Sequence, residues 1–236
     1  YKQLGAAGEG AAVHFLRALA PDVGVQIRRY SMWRSAVLME WLDGPALDQL
    51  LEDGQDARAT QLLADMAGAV SKTRFRWPFI YRRLAPGLQK DFSKCEAMDL
   101  PVPVRKDLDR CRALLDHLIS TTSKERVIHG DLGFGNVILT PDGARIIDPK
   151  GFRADPAFEL AKALIMPYDR APMPTFIARI NARGPVLAES IDTTQLRLMQ
   201  WAAVILGHKA IYGARKRPEE RSLLPYLTTV LDLCEA

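Results

Sequence analysis

The chain has 236 residues, 48% of them apolar and 25% charged, and its formal net charge is +4. These values are ordinary for a globular protein with a well-buried core, in one large or two small domains. The basic residues are scattered among acidic ones without a nucleic-acid-binding motif, and no apolar run reaches membrane-spanning length. We therefore expect neither a nucleic-acid nor a membrane partner, and nothing in the sequence indicates an oligomeric state.

Three widely spaced cysteines, Cys95, Cys111 and Cys234, bear on the redox environment. Their number is odd, and no two of them have the short spacing of a zinc site. We therefore expect free thiols in a reduced, cytoplasmic chain.

The N-terminal segment has the pattern of a strand followed by a helix. Residues 1–4 are typical of the end of a strand, and an apolar stripe predicts a helix over residues 9–20. Glu9, Val13 and Leu16 lie on one face of that helix, which places the Glu9 carboxylate on the inward side. A carboxylate in such a position needs a cation as its partner.

Two further strands are predicted at residues 23–30 and 35–42, and residues 40–44 then lead out of the sheet into a loop. Helices are predicted at residues 45–51, 56–72, 105–119, 156–165, 175–182, 191–206 and 221–233. Because a few strands precede a helix-rich remainder, the predicted fold class is α+β.

The most informative stretch is residues 127–151, where two apolar runs deliver polar residues into loops. The first run ends in His129-Gly130-Asp131, with Asn136 five residues after Asp131. The second run ends in Asp148-Pro149-Lys150-Gly151. Asp142-Gly143 between the two runs predicts a tight hairpin, so the two polar groups should lie on neighbouring strands.

These residue types suit phosphoryl transfer. That reaction needs a carboxylate that orients the acceptor hydroxyl and takes its proton, which Asp131 could supply. It also needs oxygen ligands for Mg²⁺, which Asn136 and Asp148 could supply, and two protein ligands suffice because Mg²⁺ keeps several waters. The alternative is that Asp131 is a turn residue and that Asn136 and Asp148 are caps.

The two blocks, followed by Asp155-Pro156, resemble the aminoglycoside phosphotransferase family. The Asp-Pro-Lys-Gly form is most similar to the branch with streptomycin 6-phosphotransferases and hydroxyurea antibiotic-resistance kinases. The resemblance implies a two-lobed, protein-kinase-like fold and an enzyme that transfers phosphate from ATP, with Mg²⁺, to a small-molecule hydroxyl. It implies Asp131 as the catalytic base and Asn136 and Asp148 as metal ligands.

By the same resemblance, Lys2 matches the strand lysine that contacts the nucleotide phosphates, and Glu9 matches the helix glutamate that pairs with it. A surface lysine and a common N-terminal helix acid are the alternative. The glycine-rich hairpin that precedes such a lysine is absent from the sequence given. A start at Tyr1 favours a chain truncated in front over a protein that lacks the hairpin.

The predicted domains are a small, partial N-terminal lobe at residues 1–42 and a helical lobe at residues 43–236. By the resemblance, residues 40–44 match the hinge whose backbone binds adenine, and a plain strand end is the alternative. Acidic residues of the helical lobe could line a pocket for a polycationic aminoglycoside or could be a solvated face, namely Glu159, Asp169, Glu189 and Asp192.

Three further residues of the motif region, His129, Lys150 and Asp155, have a structural interpretation. We expect His129 to fix the loop rather than to act in catalysis, and Asp155 to tie the loop to the fold. Lys150 could contact phosphate or be a solvated turn residue.

The predicted function is phosphorylation of an aminoglycoside-type antibiotic. A small-metabolite kinase of the same fold and a non-catalytic nucleotide-binding or interaction protein are the alternatives.

Overall fold

The computed structural model describes residues 2–3, 9–31, 33–34, 36–98, 100–167, 172–216 and 223–235. Its strands are β1 (Lys2–Gln3), β2 (Ile27–Ser31), β3 (Ala36–Met39), β4 (Arg82–Arg83), β5 (Arg126–Ile128), β6 (Val137–Thr140), β7 (Gly143–Ile146) and β8 (Phe152–Ala154). Its helices are α1 (Glu9–Ala18), α2 (Leu47–Glu52), α3 (Asp56–Lys72), α4 (Ala85–Ser93), α5 (Val102–Thr121), α6 (Phe158–Ile165), α7 (Met173–Ser190), α8 (Gln195–Lys216) and α9 (Leu224–Glu235). The α+β fold class predicted from the sequence is confirmed.

The N-terminal strands form an antiparallel sheet in the order β1-β3-β2. In this sheet Val37 of β3 is paired with Lys2 on one side and with Tyr30 on the other. Helix α1 follows β1 and buries Val13 and Leu16, as predicted, whereas the side chain of Glu9 lies outside the described part of the structure. Phe15, which lies between Val13 and Leu16 in the sequence, is fully buried as well.

Residues after β3 run back along the strand that follows the predicted catalytic loop. The main-chain N–H of Leu139 donates to the Pro45 oxygen at 2.8 Å, and Ala46 forms an isolated bridge with Ile138. Gly44 approaches so closely that an added Cβ would lie 1.6 Å from the Leu139 oxygen, so no larger residue fits without moving the backbone. The region that matches a hinge is thereby attached to β6.

Two small sheets hold the motif segments. Strand β8 lies between β4, which is parallel to it, and β5, which is antiparallel. Strands β6 and β7 form the predicted hairpin, but its loop is Pro141-Asp142, and Gly143 is already paired with Thr140. Strands β4 and β8 were not predicted, because two or three residues are too few to show a strand periodicity.

The helices after residue 43 form the main core. Among the fully buried side chains are Leu160 and Leu164 of α6, Phe176 of α7 and Leu206 of α8. The helix predicted at residues 56–72 matches α3 in full, but the predicted helix at 175–182 extends to Ser190 through Pro185.

Within the described residues, no helix combines the length and the apolar character that a membrane span requires.

Candidate active site

The loop that begins at His129 is anchored by a buried carboxylate. Glu159, in the first turn of α6, is 5% exposed. Its two oxygens accept hydrogen bonds from the main-chain N–H groups of His129 at 2.6 Å and Gly130 at 3.0 Å. Burial raises the pKa of Glu159 to about 7, although the N–H donors of the loop act in the opposite direction. A helix of the core therefore fixes the backbone on which Asp131 sits.

His129 is fully buried and has two partners of its own. Its Nδ1 accepts a hydrogen bond from the main-chain N–H of Asp131 at 3.3 Å, so the proton must lie on Nε2, which donates to the Ile147 oxygen at 2.8 Å. Burial lowers the pKa of His129 to about 4, and the ring is therefore neutral at pH 7. Its edge meets the ring of Phe15 in α1, with centroids 5.7 Å apart. These contacts agree with the expected structural role.

Gly130 has a φ of +80°, a conformation that side chains rarely adopt. An added Cβ would lie 2.5 Å from Cδ2 of Phe152, which is shorter than any ordinary contact. Both the backbone turn and the space therefore require glycine at this position.

Asn136 joins the two motif segments. Its side-chain Nδ2 donates to the main-chain oxygen of Asp131 at 2.7 Å. Its main-chain oxygen accepts the N–H of Ile147, the residue before Asp148, at 3.0 Å. The predicted base and the two predicted metal ligands thus lie on segments that are hydrogen-bonded through one residue.

Asp148 follows β7 in a left-handed conformation, with a φ of 56°. Aspartate tolerates this region better than most residues do, because its short polar side chain can bond locally. The turn after it is fixed to the other segment, since the N–H groups of Lys150 and Gly151 both donate to the His129 oxygen, at 2.8 and 3.0 Å. The Lys150 side chain is exposed.

The Asp131 side chain has a cationic neighbour that we did not predict. Nζ of Lys162, in α6, lies 2.6 Å from Oδ1 of Asp131. The two side chains are 35% and 30% exposed, respectively, so the pair is accessible to solvent and to a substrate.

A second unpredicted contact lies beneath the loop. Arg183 of α7 is 1% exposed and binds both oxygens of Asp56 at the start of α3, at 2.9 and 2.5 Å. It also donates to the main-chain oxygens of Ala163 and Met166. Its guanidinium carbon lies 4.7 Å from the ring centroid of Phe134, a loop residue, in a cation–π arrangement. Arg183 therefore joins the loop to α3, α6 and α7.

The predicted nucleotide-binding residues are described only by their backbone. Lys2 lies in β1, and Glu9 is the first residue of α1. The predicted ion pair between their side chains lies outside the described part of the structure.

The acidic residues proposed for an acceptor pocket do not meet at the loop. Glu159 is bound to the loop backbone, and Asp169 lies outside the described residues. Glu189 and Asp192 line an open cavity of about 1430 Å³, whose lining includes residues 121–127 and therefore the start of β5. The loop residues 129–136 do not line that cavity. The three described acids therefore do not all share one pocket, because Glu189 and Asp192 line this cavity together whereas Glu159 binds the loop backbone.

Asp155 has a structural role, as we expected, but its contacts are with residues of the helical lobe rather than with the loop that begins at His129. It is 5% exposed, and its Oδ2 lies 2.6 Å from Nη2 of Arg197 and accepts the Thr122 hydroxyl at 3.1 Å. Its Oδ1 accepts the N–H of Ala157 at 2.9 Å, just before α6 begins. Asp155 therefore ties the start of α6 to α5 and α8.

The donor set near the loop suits a hard divalent cation. Because the Asn136 Nδ2 is already bonded to the loop, its Oδ1 is the atom left for a metal, and Asp148 adds a carboxylate. Among the described residues there is no group of three or more His, Cys, Asp or Glu side chains that could hold a metal. An amide oxygen with one carboxylate fits Mg²⁺, which usually has few protein ligands.

A family model described as aminoglycoside/hydroxyurea antibiotic resistance kinase matches residues 9–216 of the chain. The chain belongs to this family. The match covers α1 and the whole motif region, and it confirms the resemblance found in the sequence. Among curated proteins, no sequence matches the chain.

Solved structures of small-molecule kinases share the fold of this family member. A choline/ethanolamine kinase family protein from Mesorhizobium loti has a TM-score of 0.65 at 14% identity, covering 99% of this chain and 79% of its own. The aminoglycoside phosphotransferase APH(4)-Ia, as a thermostable mutant, has a TM-score of 0.62 at 13% identity, covering 95% and 82%. LicA in complex with AMP, a choline kinase from Streptococcus pneumoniae, has a TM-score of 0.58 at 13% identity, covering 96% and 79%. The fold is therefore that of protein-kinase-like phosphotransferases.

The sequence of α6 contains a signal that could have predicted its two contacts with the loop. Its eight residues, Phe158–Ile165, are apolar except for Glu159 and Lys162. Charged residues three positions apart share one face of a helix, and on a helix that is otherwise buried they need partners. Arg183 gave no such signal, because an arginine in a long helix is usually solvated.

Proposed function

We propose that this protein is an ATP- and Mg²⁺-dependent phosphotransferase that phosphorylates a hydroxyl group of a small molecule. The observation that carries the proposal is the bonded arrangement of Asp131, Asn136 and the segment that ends in Asp148. Phosphoryl transfer depends on positioning and charge stabilisation more than on covalent chemistry, and a carboxylate on the same bonded framework as oxygen ligands for a cation would meet that need.

In the proposed reaction Asp131 accepts the proton of the acceptor hydroxyl. The acceptor oxygen forms a bond to the γ-phosphorus of ATP while the bond from that phosphorus to the β,γ-bridging oxygen breaks. The products are the phosphorylated acceptor and ADP, and the proton is carried by Asp131 until it is released to solvent. His129 is no competitor for this role, because both of its ring nitrogens are engaged and its pKa is lowered to about 4.

Asn136 and Asp148 are the proposed ligands for Mg²⁺. The bound cation would neutralise charge on the phosphate oxygens of the nucleotide. The main-chain bonds of Ile147, Lys150 and Gly151 keep the Asp148 turn against the loop, so that both ligands are held by the same framework. Lys2, steadied by Glu9, is the proposed contact for the nucleotide phosphates.

The nucleotide would lie between two lobes, at residues 1–42 and 43–236, with the backbone of residues 40–44 against adenine. The attachment of Pro45 and Ala46 to β6 supports this arrangement, because it brings that segment next to the strand that follows Asn136. A similar fold in a choline kinase structure with AMP bound agrees with nucleotide use. The free cysteines agree with a reduced, cytoplasmic environment.

Family membership makes an aminoglycoside-type antibiotic the first acceptor class to test. A metabolite such as an amino alcohol, sugar or amino sugar is the second candidate. It is favoured by the positions of the predicted pocket acids, because Glu159 is bound to the loop backbone and the cavity lined by Glu189 and Asp192 does not include residues 129–136. These carboxylates therefore form no cluster for a polycationic acceptor beside Asp131. The choline/ethanolamine kinase likeness concerns the fold and agrees with either class.

The test is a coupled ADP-release assay with ATP and Mg²⁺ against a panel of aminoglycosides and a panel of amino alcohols, sugars and amino sugars. Transfer to a member of either panel, absent in the Asp131→Asn variant, supports the proposal and selects the acceptor class. A protein that binds Mg-ATP but transfers phosphate to neither panel would instead be the non-catalytic nucleotide-binding protein.

A further inference from the structure

We propose that Lys162 is a positioning residue for Asp131, which holds one carboxylate oxygen so that the other is presented to the acceptor hydroxyl. The proposal rests on the phosphotransferase function proposed above. Lys162 Nζ lies 2.6 Å from Oδ1 of Asp131. In the described part of the chain, no hydrogen bond is recorded to Oδ2, which therefore remains as the proton acceptor.

One helix fixes both the backbone and the side chain of the base. Glu159 binds the N–H groups of His129 and Gly130, and Lys162, one turn later on α6, binds the Asp131 carboxylate. Residues three apart lie on the same face of a helix, so both contacts point toward the loop. The rest of α6 is held in the core by side chains such as Leu160 and Leu164, which are fully buried. Helix α6 therefore fixes the proposed base at two points, through the loop backbone and through the Asp131 carboxylate.

Stability alone does not account for this pair. An ion pair that is about one-third exposed contributes little to stability, and a long lysine side chain loses rotamer freedom to form it. The geometry matters more for rate, because a misplacement of about 1 Å in a reacting group can cost on the order of 100-fold. An ammonium bound to one oxygen limits the rotation of the carboxylate, and it does so without contributing a proton acceptor of its own.

The experiment compares Lys162→Met, Lys162→Arg and the control Lys106→Met, an exposed lysine on α5. We expect Lys162→Met to lower kcat by about 100-fold. The KM for Mg-ATP and the thermal midpoint should stay close to the wild-type values. Lys162→Arg should restore most of the rate, because it returns a cationic donor to the same position, and Lys106→Met should be as active as the wild type.

A second measurement separates positioning from a general structural role. Lys162→Ala is assayed with added ethylammonium and, at equal concentration, with tetramethylammonium, which has the charge but no N–H donor. We expect ethylammonium alone to raise kcat. A Lys162→Met variant as fast as Lys106→Met overturns the proposal, and so does a loss of rate that neither arginine nor ethylammonium restores.

The wild type is measured first in the same assay, so that two failures are distinguished. No transfer by the wild type overturns the proposed function, and the role of Lys162 falls with it. Transfer by the wild type at the same rate as Lys162→Met overturns the role of Lys162 alone.

Discussion

The side-chain amide of Asn136 donates to the main-chain oxygen of Asp131 at 2.7 Å, so that a proposed metal ligand is bonded directly to the residue proposed as the base. The same asparagine accepts the N–H of Ile147 through its main-chain oxygen. Any movement of the Asp148 segment is therefore passed to the loop that carries Asp131. This coupling makes the proposed chemistry sensitive to changes in the framework as well as in the acting groups.

Replacement of Asp131 by Asn should lower the transfer rate by roughly 10²–10⁴-fold, because an amide cannot accept the acceptor proton. Stability should change by about 1 kcal/mol or less, since the pair with Lys162 is partly exposed. Steady-state transfer, thermal unfolding and Mg-ATP binding are the measurements. Turnover near the wild-type rate would show that Asp131 is not the base.

Asp148 is tested by a pair of variants. Asp148→Asn and Asp148→Ala should both raise the Mg²⁺ concentration needed for half-maximal transfer, because each removes the carboxylate ligand. Only the alanine should also lose about 1–2 kcal/mol of stability, because it has to adopt the left-handed φ of 56°. Mg²⁺ titrations and thermal unfolding separate the two effects, and an unchanged Mg²⁺ requirement in both variants would contradict the metal role.

Glu159→Gln should destabilise the fold by about 1–3 kcal/mol, because the new NH₂ group faces the N–H donors of the loop. It should also change the pH dependence of stability. The pKa of Glu159 is raised from 4.5 to about 7, so between these values the folded state binds more protons than the unfolded state. The free energy of unfolding of the wild type therefore falls, through this group, as pH rises from about 4.5 to about 7.

The Gln variant lacks this titration and should not show that decline. Denaturant unfolding of both proteins across the same pH range measures the difference. Parallel stability curves for the two proteins would contradict the raised pKa.

Gly130→Ala and Gly133→Ala form a matched pair within one loop. The first puts a Cβ 2.5 Å from Phe152 at a φ of +80°, and we expect a loss of about 1–3 kcal/mol together with most of the activity. At Gly133 an added Cβ meets nothing within 4 Å, and its φ of −154° is ordinary extended backbone. Equal stability and activity of the two variants would mean that the loop can relax around Gly130.

Asp56→Asn should cost about 3–5 kcal/mol, because it leaves the buried Arg183 guanidinium without its counter-charge. Asp65→Asn on the same helix, at an exposed position, should change stability by no more than about 0.5 kcal/mol. Chemical denaturation compares them. A small effect at Asp56 would show that the main-chain oxygens of Ala163 and Met166 are sufficient partners for Arg183.

Local patterns predicted most of the elements that frame the site. The helix at 56–72 and the hairpin after Asn136 were found because their apolar spacing and turn residues act over short stretches. The predicted helix at 191–206 instead begins at Gln195, since Asp192 has a φ of 54° that a helix cannot include. The end of α7 was missed because Gly184-Pro185 indicates a break, which its buried neighbours Arg183 and Leu187 override.

The sequence by itself determined the family, the α+β class and the three polar residues of the motif, because these depend on residue type and on spacing along the chain. Only the tertiary structure decided that Lys162 faces Asp131, that Glu159 holds the loop, and that Arg183 lies beneath it. These partners are separated from the loop by about thirty to fifty residues, and which face of a helix meets which loop is set by packing of the whole core rather than by any local pattern.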